Sequence, residues 1–181
     1  MLVDAFDVPF VTTPQAKGLV SERHPRSLRH GGLAASQWAR RYTERGVDAT
    51  LALGTDLDDC ATGPTRYVKE GGKLVHVDLN AAVLNRNLRA ELGVVADVGS
   101  FVTKLYEYVT RHGLLHGKSR KELRDVKSVA PFEEALFGED ARTPIAPHRA
   151  IADLESACGA DAMYITDIGE HMLFALHYLT A

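Results

Sequence analysis

Short apolar runs alternate with helical patterns along the first 112 residues of the chain. An early run, Val8–Val11, ends at turn residues, and three later runs predict buried strands, namely Ala49–Gly54, Lys73–Asp78 and Val94–Ala96. Helical periodicity covers three stretches between and after them, namely residues 33–45, Ala81–Leu92 and Phe101–Val109. Apolar strands that alternate with helices predict a parallel sheet with right-handed crossovers, which is an α/β fold with helices on both faces.

The last third of the chain has a different pattern of residues. Residues 113–146 mix charged residues with Gly and Pro, which predicts a surface linker with one or two short helices. A helix is predicted over Pro147–Cys158, a strand over Met163–Thr166 and a helix over Met172–Leu179. This last strand–turn–helix unit has no visible partner strand. We therefore predict an α/β domain at 1–112, a linker at 113–146 and a truncated α/β unit at 147–181.

Composition excludes several classes of protein. Of the 181 residues, 45% are hydrophobic and 25% are charged, as is usual for a globular protein. The formal net charge is −3, and because basic residues are not in excess, a general nucleic-acid binder is disfavoured. Cys60 and Cys158 form no metal or redox spacing, which favours a reducing, cytoplasmic location. The first ten residues lack the basic region of a secretion signal, and no apolar run predicts a membrane span.

Polar residues follow each predicted strand, where parallel sheets place their ligands. Gly54 and Thr55 follow the first of these strands, Asp78 ends the second and Asp97 follows the third. Asp56, Asp58 and Asp59 add three acids in four positions, but their spacing matches no known metal loop, so we assign no metal ligand. The acids of the first loop could instead form a helix-capping turn, and Asp78 could cap the helix predicted from Ala81. The dinucleotide motif GxGxxG is absent, which disfavours an ordinary nicotinamide domain.

A second candidate site is the turn from Asp167 to His171, which leads into the last predicted helix. A glycine turn at a helix N-terminus exposes unpaired N–H groups that suit a phosphate, and His171 could donate to the same anion. The structural alternative is an ordinary helix cap.

Five segments follow one another in an order that resembles a known enzyme family. They are PFVTTPQAKG, His24–Pro25 with a Gly-rich turn, LALGTDLDDCATG, KLVHVDLN and VVADV. The order resembles the central domain of thiamine-diphosphate-dependent enzymes, with acetolactate synthases as the nearest branch. The segment APHRAIADLESACGADAMYITDIGEHMLFA resembles the opening of the diphosphate-binding domain that follows in these enzymes.

The resemblance implies cofactors and the residues that would contact them. Members of the family act on 2-oxo acids through thiamine diphosphate with Mg²⁺, and the acetolactate synthases also carry FAD. The diphosphate contacts of the family map onto Ile168, Gly169, Glu170 and His171. The flavin-contacting loops map near the strand ends, on Gly54, Thr55, Asp56, Asp58, Asp78 and Asp97.

Departures from the family pattern narrow this expectation. Asp56 replaces the usual arginine of the flavin loop, and Glu170 replaces a neutral Gln at the diphosphate turn. Nothing corresponds to the activating glutamate, to the Gly-Asp-Gly metal motif or to the first strand of the central domain. We therefore expect a fragment or subunit that is not catalytic alone, with FAD binding disfavoured.

Partners would be further copies of the chain or complementary subunits, with a 2-oxo acid as substrate and no nucleic acid or membrane. The alternative is a non-catalytic nucleotide-binding or oligomer-assembly module. With no further domain to cover them, Met172, Leu173, Leu176 and Leu179 of the last helix are expected to form an exposed stripe or a partner contact.

Overall fold

The computed structural model describes residues 2–44, 46–64, 67–114, 120–134, 137–159 and 161–181, and it has the α/β class. The strands are β1 (Phe10–Thr12), β2 (Ser27–His30), β3 (Ala49–Leu53), β4 (Lys73–Asp78) and β5 (Leu92–Val95). The helices are α1 (Leu2–Phe6), α2 (Gln37–Glu44), α3 (Asp59–Thr62), α4 (Val98–Arg111), α5 (Arg120–Lys127), α6 (Pro147–Cys158) and α7 (Glu170–Tyr178). Short 3₁₀ turns cover Pro14–Ala16 and Phe137–Glu139. Within the described ranges, no helix combines the length and apolarity needed to cross a bilayer.

All strands pair in parallel, as the alternation of strands and helices predicted, but they form two sheets. β1 pairs with β2, and β4 lies between β3 and β5. In the larger sheet, Leu51 is in register with Val75, and Val75 with Leu92. Leu74, His76 and Val77 are buried because β4 is central, and a small core of Ala52, Leu57 and Leu74 lies on one face. The predicted α/β fold with parallel strands is confirmed.

The helix predicted over Ala81–Leu92 is wrong. This segment is a series of turns that leads into β5. Asn85 adopts φ +63°, which a right-handed helix does not allow, and its side-chain Oδ1 accepts a hydrogen bond from Ala90 N at 2.8 Å. The side chain of Asn85 therefore competes with the helical backbone pattern, and the apolar spacing of Leu84, Leu88 and Leu92 does not overcome it.

The strand predicted over Met163–Thr166 is also wrong. Residues 162–167 form no helix or strand, and no described strand pairs with them. Met163 and Ile165 are 87% and 90% exposed, as expected for an apolar segment with no neighbouring sheet. By contrast, the helix predicted over Pro147–Cys158 is observed with the same bounds, and Gly159 follows it with φ +78°.

The expected exposure of the last helix is contradicted as well. Leu176 and Leu179 are buried, and Met172 and Leu173 are half-buried. α7 packs against α6, and Tyr178 contacts the rings of Phe132 and Phe137 at centroid distances of 5.7 and 4.7 Å. The predicted linker therefore supplies the cover that the sequence analysis did not foresee.

A buried ionic cluster joins the region before β2 to the last residues of the chain. Glu22 is 3% exposed, and its carboxylate accepts a hydrogen bond from Lys17 Nζ at 2.6 Å and lies 3.1 Å from Arg29 Nη2. Ala181 N donates to the same carboxylate at 3.2 Å, while Arg29 Nη2 donates to the carbonyl of Leu179 at 2.6 Å. Burial lowers the pKa of Lys17 to about 8, although the charge of Glu22 partly offsets the effect.

Two histidines meet at one carbonyl group beside this cluster. The Ala34 carbonyl accepts from His30 Nε2 at 2.6 Å and from His177 Nδ1 at 3.1 Å. Glu133 N donates to the other ring nitrogen of His177 at 3.0 Å, so this ring is held neutral. Burial is the largest cause that lowers the pKa of His177, and it lowers the pKa of His30 to about 3.

The first prediction concerns the buried carboxylate. Glu22→Gln removes the charge that compensates Lys17 and Arg29, so we expect the free energy of unfolding to fall by about 3 kcal/mol. Urea denaturation measures this change. Asp48→Asn, which breaks an exposed pair with Lys69, is the control and should change it by less than about 0.5 kcal/mol. Equal effects of the two variants would contradict the prediction.

The second prediction concerns the stability of the fold at low pH. The unfolded chain protonates its histidines below pH about 6.5, whereas the folded chain keeps His30 neutral down to pH about 3. The contribution of His30 to stability is therefore complete above pH 6.5, and each pH unit below it removes up to about 1.4 kcal/mol. Urea denaturation between pH 7 and pH 4 measures how steeply the free energy of unfolding falls with pH. This dependence should be weaker in His30→Asn, whereas His112→Ala, at an exposed position, should keep that of the parent chain. An unchanged pH dependence in His30→Asn would refute the assignment.

Candidate functional site

The carboxyl ends of β3, β4 and β5 lie at one edge of the larger sheet, as their parallel order requires. The chain leaves this edge through Gly54, Asp78 and Ala96. Gly54 N donates to the Val77 carbonyl at 2.9 Å, and Ala96 N donates to the Asp78 carbonyl at 3.0 Å. The structure therefore brings together the candidates that the sequence analysis placed after the strands, and we call this surface the carboxyl edge.

Gly54 lies in a tight turn of the carboxyl edge that leaves little space for a side chain. This residue adopts φ +60°, which favours glycine, and a Cβ atom there would lie 3.3 Å from Cγ2 of Val98. The polar groups of Thr55 are engaged within the chain. Its carbonyl accepts from His76 Nε2 at 2.7 Å, and its hydroxyl accepts from Leu57 N at 3.3 Å.

Three aspartates of the carboxyl edge accept hydrogen bonds from nearby backbone N–H groups. Asp58 accepts from Ala61 N at the start of α3, and Asp97 accepts from Ser100 N at the start of α4, both at 2.8 Å. The hydrogen bond from Ser100 lowers the pKa of Asp97. Asp78 accepts from Asn80 N at 2.8 Å in a side-chain turn. The capping alternative is thus observed at Asp58, whereas Asp78 caps no helix because none follows it, and Asp97 caps α4 although the sequence analysis did not predict this cap.

Asp56 is engaged by a residue that sequence reasoning missed. Arg86 Nη2 donates to its carboxylate at 2.6 Å, and Asn87 Nδ2 donates to its carbonyl at 2.8 Å. Arg86 lies in the segment predicted as a helix and stands 30 positions away, so no local pattern indicated the pair. The turns after β4 fold over the loop after β3 through these contacts.

The second candidate site lies at the start of α7. Gly169 adopts φ +153°, and a Cβ atom there would lie 2.8 Å from the ring of His171. No side chain caps this helix, unlike α3 and α4. Ile168, Glu170 and His171 are exposed. Asp167 Oδ1 accepts from Ile168 N at 2.7 Å, so that N–H group is already engaged. The turn therefore offers the N–H groups of Glu170 and His171, with the carboxylates of Asp167 and Glu170 beside them.

The two candidate sites do not meet in the structure. Within the described residues, no hydrogen bond or ion pair links Ile168, Gly169, Glu170 or His171 to Gly54, Thr55 or Asp78. A cleft of about 670 Å³ lies at the opposite, amino ends of β4 and β5, beside Tyr67, Leu74 and Arg89. It contains none of the residues predicted to bind a cofactor.

A polar cluster in the predicted linker also escaped the sequence analysis. Ligand atoms of Glu134, Asp140 and His148 lie within 4.8 Å of one another. The Arg142 guanidinium donates to Asp140, holds the pKa of that carboxyl well below its usual range and lies 3.3 Å from His148 Nε2. A cationic side chain thus already stands among these groups, and we interpret the cluster as an ion-pair network that fixes Glu134, Asp140 and Arg142 against the first turn of α6.

The donor sets fit the two implied cofactors differently. The start of α7 fits a diphosphate through its N–H groups, although the charge of Glu170 opposes an anion. The carboxyl edge does not fit the pyrophosphate of a flavin dinucleotide, because Asp58 and Asp97 already fill the helix N-termini and Asp56 adds negative charge. No step is therefore assigned to a flavin.

Comparison with known proteins agrees with the fold. The family model for the central domain of thiamine pyrophosphate enzymes matches residues 1–105. An acetolactate synthase of Mycobacterium bovis is 26% identical over 98% of this chain and 29% of its own length. The probable acetolactate synthase 2 of Oryza sativa subsp. japonica, a chloroplastic protein, is 28% identical over 98% of this chain and 27% of its own length.

A more distant relative extends the pattern. A probable acetolactate synthase large subunit of Methanococcus aeolicus is 22% identical over 98% of this chain. The chain spans less than a third of the length of each of these relatives. The family match covers more than half of the chain and includes the carboxyl edge. The chain therefore belongs to the family of thiamine pyrophosphate enzymes, as a central domain of the acetolactate synthase-like type.

Proposed function

We propose that this chain is a central-domain portion of a thiamine-diphosphate- and Mg²⁺-dependent enzyme that acts on 2-oxo acids, and that it does not catalyse alone. The observation that carries the proposal is the family match to residues 1–105, which the acetolactate synthases extend over 98% of the chain. Its partners would be further copies of the chain, as a homo-oligomer, or complementary subunits of the same enzyme. Free, exposed Cys60 and Cys158 support a reducing, cytoplasmic location.

In this proposal the start of α7 binds the diphosphate of the cofactor. The N–H groups of Glu170 and His171 lie at the positive end of the α7 dipole, and no side chain caps them. Gly169 permits this turn because a larger residue would meet the His171 ring. Thiamine diphosphate, when bound, supplies the carbanion chemistry on the 2-oxo acid.

Glu170 is the residue that opposes this binding. Its carboxylate is exposed at the first position of α7, where it stabilises the helix dipole in the absence of ligand but repels a diphosphate. Mg²⁺ that arrives with the cofactor would offset this repulsion. Cofactor binding should therefore be weak in the isolated chain and sensitive to the charge at this position.

The third prediction follows from this repulsion. Glu170→Gln removes one negative charge at the diphosphate turn, so the Kd for thiamine diphosphate with Mg²⁺ should fall by about fivefold. Isothermal titration calorimetry measures the Kd. The matched control is Glu70→Gln, which removes an equally exposed charge from the turn before β4. A fall in Kd for Glu170→Gln that exceeds any fall for Glu70→Gln supports the site, whereas an equal change in both variants, or no fall in Glu170→Gln, would refute it.

The fourth prediction concerns activity. The purified chain, supplied with a 2-oxo acid, thiamine diphosphate and Mg²⁺, should release no CO₂ above the rate of the cofactor alone. The physical reason is that no residue here corresponds to the activating glutamate or to the metal motif of the family. Turnover by the chain alone would overturn the proposal. A chain that binds none of the cofactor would favour the assembly-module alternative.

A further inference from the structure

We propose that the carboxyl edge excludes the flavin dinucleotide that acetolactate synthase-like enzymes are expected to carry, because its own side chains take the positions that a pyrophosphate needs. The side chains that carry this exclusion are those of Asp56, Asp58, Arg86 and Asp97, beside the turn at Gly54 and Thr55. This edge stands apart from the diphosphate turn at α7, with which these residues share no described hydrogen bond or ion pair.

The first requirement of a pyrophosphate is a set of open N–H donors, and an aspartate already competes for them at each helix of the carboxyl edge. Asp58 accepts from Ala61 N at the start of α3, and Asp97 accepts from Ser100 N at the start of α4. Each carboxylate thus neutralises the helix end where an anion would otherwise bind. A pyrophosphate would have to displace a covalently attached carboxylate at either helix.

The second requirement is space above the glycine turn. Gly54 lets the backbone turn, but Val98 Cγ2 lies close to the position that a Cβ would take. The Thr55 carbonyl and the Asp78 carboxylate are hydrogen-bond acceptors, so they offer no donor to an anion, and both accept within the chain. Among these groups, the Thr55 hydroxyl keeps a donor, although its oxygen accepts from Leu57 N.

The third requirement is a cation that compensates the charge of the pyrophosphate. Arg86 lies beside the loop after β3, but it is already paired with Asp56. Arg86 donates to the Asp56 carboxylate, and Asn87 holds the Asp56 carbonyl. Both side chains of the ion pair are about half exposed, at 43% for Asp56 and 50% for Arg86, so solvent reaches the pair. Asp56 thus disfavours a bound anion, because its carboxylate offsets the charge of Arg86.

A direct experiment is a titration of the chain into FAD, followed by the fluorescence anisotropy of the flavin. We expect no saturable binding with a Kd below about 1 mM. Saturable binding below that value, at one flavin per chain, would overturn the inference. Such a result would leave the thiamine diphosphate assignment untouched, because that site is read out by Glu170→Gln and not by flavin fluorescence.

A second experiment tests the reason for exclusion, since a missing domain could also abolish FAD binding. Asp56→Asn frees Arg86 and should lower the Kd for inorganic pyrophosphate by about fivefold relative to the parent chain. Arg86→Gln should not lower it. Asp48→Asn frees Lys69 of an exposed pair at the other end of β3 and serves as the matched control.

The outcomes of the second experiment are distinct. A gain in Asp56→Asn that exceeds the change in Asp48→Asn supports exclusion by the Asp56–Arg86 pair. Equal responses of the two variants would overturn it, because any freed surface cation would then act alike. Circular dichroism melting curves of the variants, which should superimpose on that of the parent chain, ensure that folding does not account for the difference. Pyrophosphate bound at α7 cancels in the comparison, since none of these substitutions touches that turn.

Discussion

The buried carboxylate of Glu22 is the interaction on which the packing of the chain's last residues depends. Two cationic side chains and the backbone of residue 181 converge on it, and Arg29 also donates to the Leu179 carbonyl. A charge this deeply buried is tolerated only where its partners are fixed, so the cluster specifies one arrangement of segments that lie about 160 residues apart. The aromatic contacts of Tyr178 and the paired histidines at Ala34 then follow from that arrangement.

Helix N-termini distinguish the two candidate regions of the molecule. α3 and α4 begin at aspartates that satisfy their backbone donors, whereas α7 begins at a glycine with no capping side chain. The same local element is therefore closed to anions at the carboxyl edge and open at α7. A family that binds both a flavin and a diphosphate would need both regions open, and this chain keeps one of them in that state.

The sequence predicted those features that local rules determine. β4 and α6 were predicted with their observed bounds. A continuous apolar run marks β4, and a Pro at the start and a Gly after the end mark α6, so both signals lie within the element itself. The cluster at the carboxyl edge followed from parallel topology alone. The helix over Ala81–Leu92 failed because the side chain of Asn85 overrides apolar spacing. The Asp56–Arg86 pair, the burial of α7 and the charges around Glu22 are long-range contacts, and no pattern within one segment indicates them.

The irregular segment at residues 162–167 has a practical consequence for the isolated chain. It pairs with no described strand, and Met163 and Ile165 extend almost wholly into water. Exposed apolar side chains of this kind promote association between molecules as concentration rises. Asp161 and Asp167 flank the apolar stretch, and their mutual repulsion between neighbouring molecules limits this association. Colloidal stability of the purified chain therefore depends on low ionic strength, which preserves that repulsion.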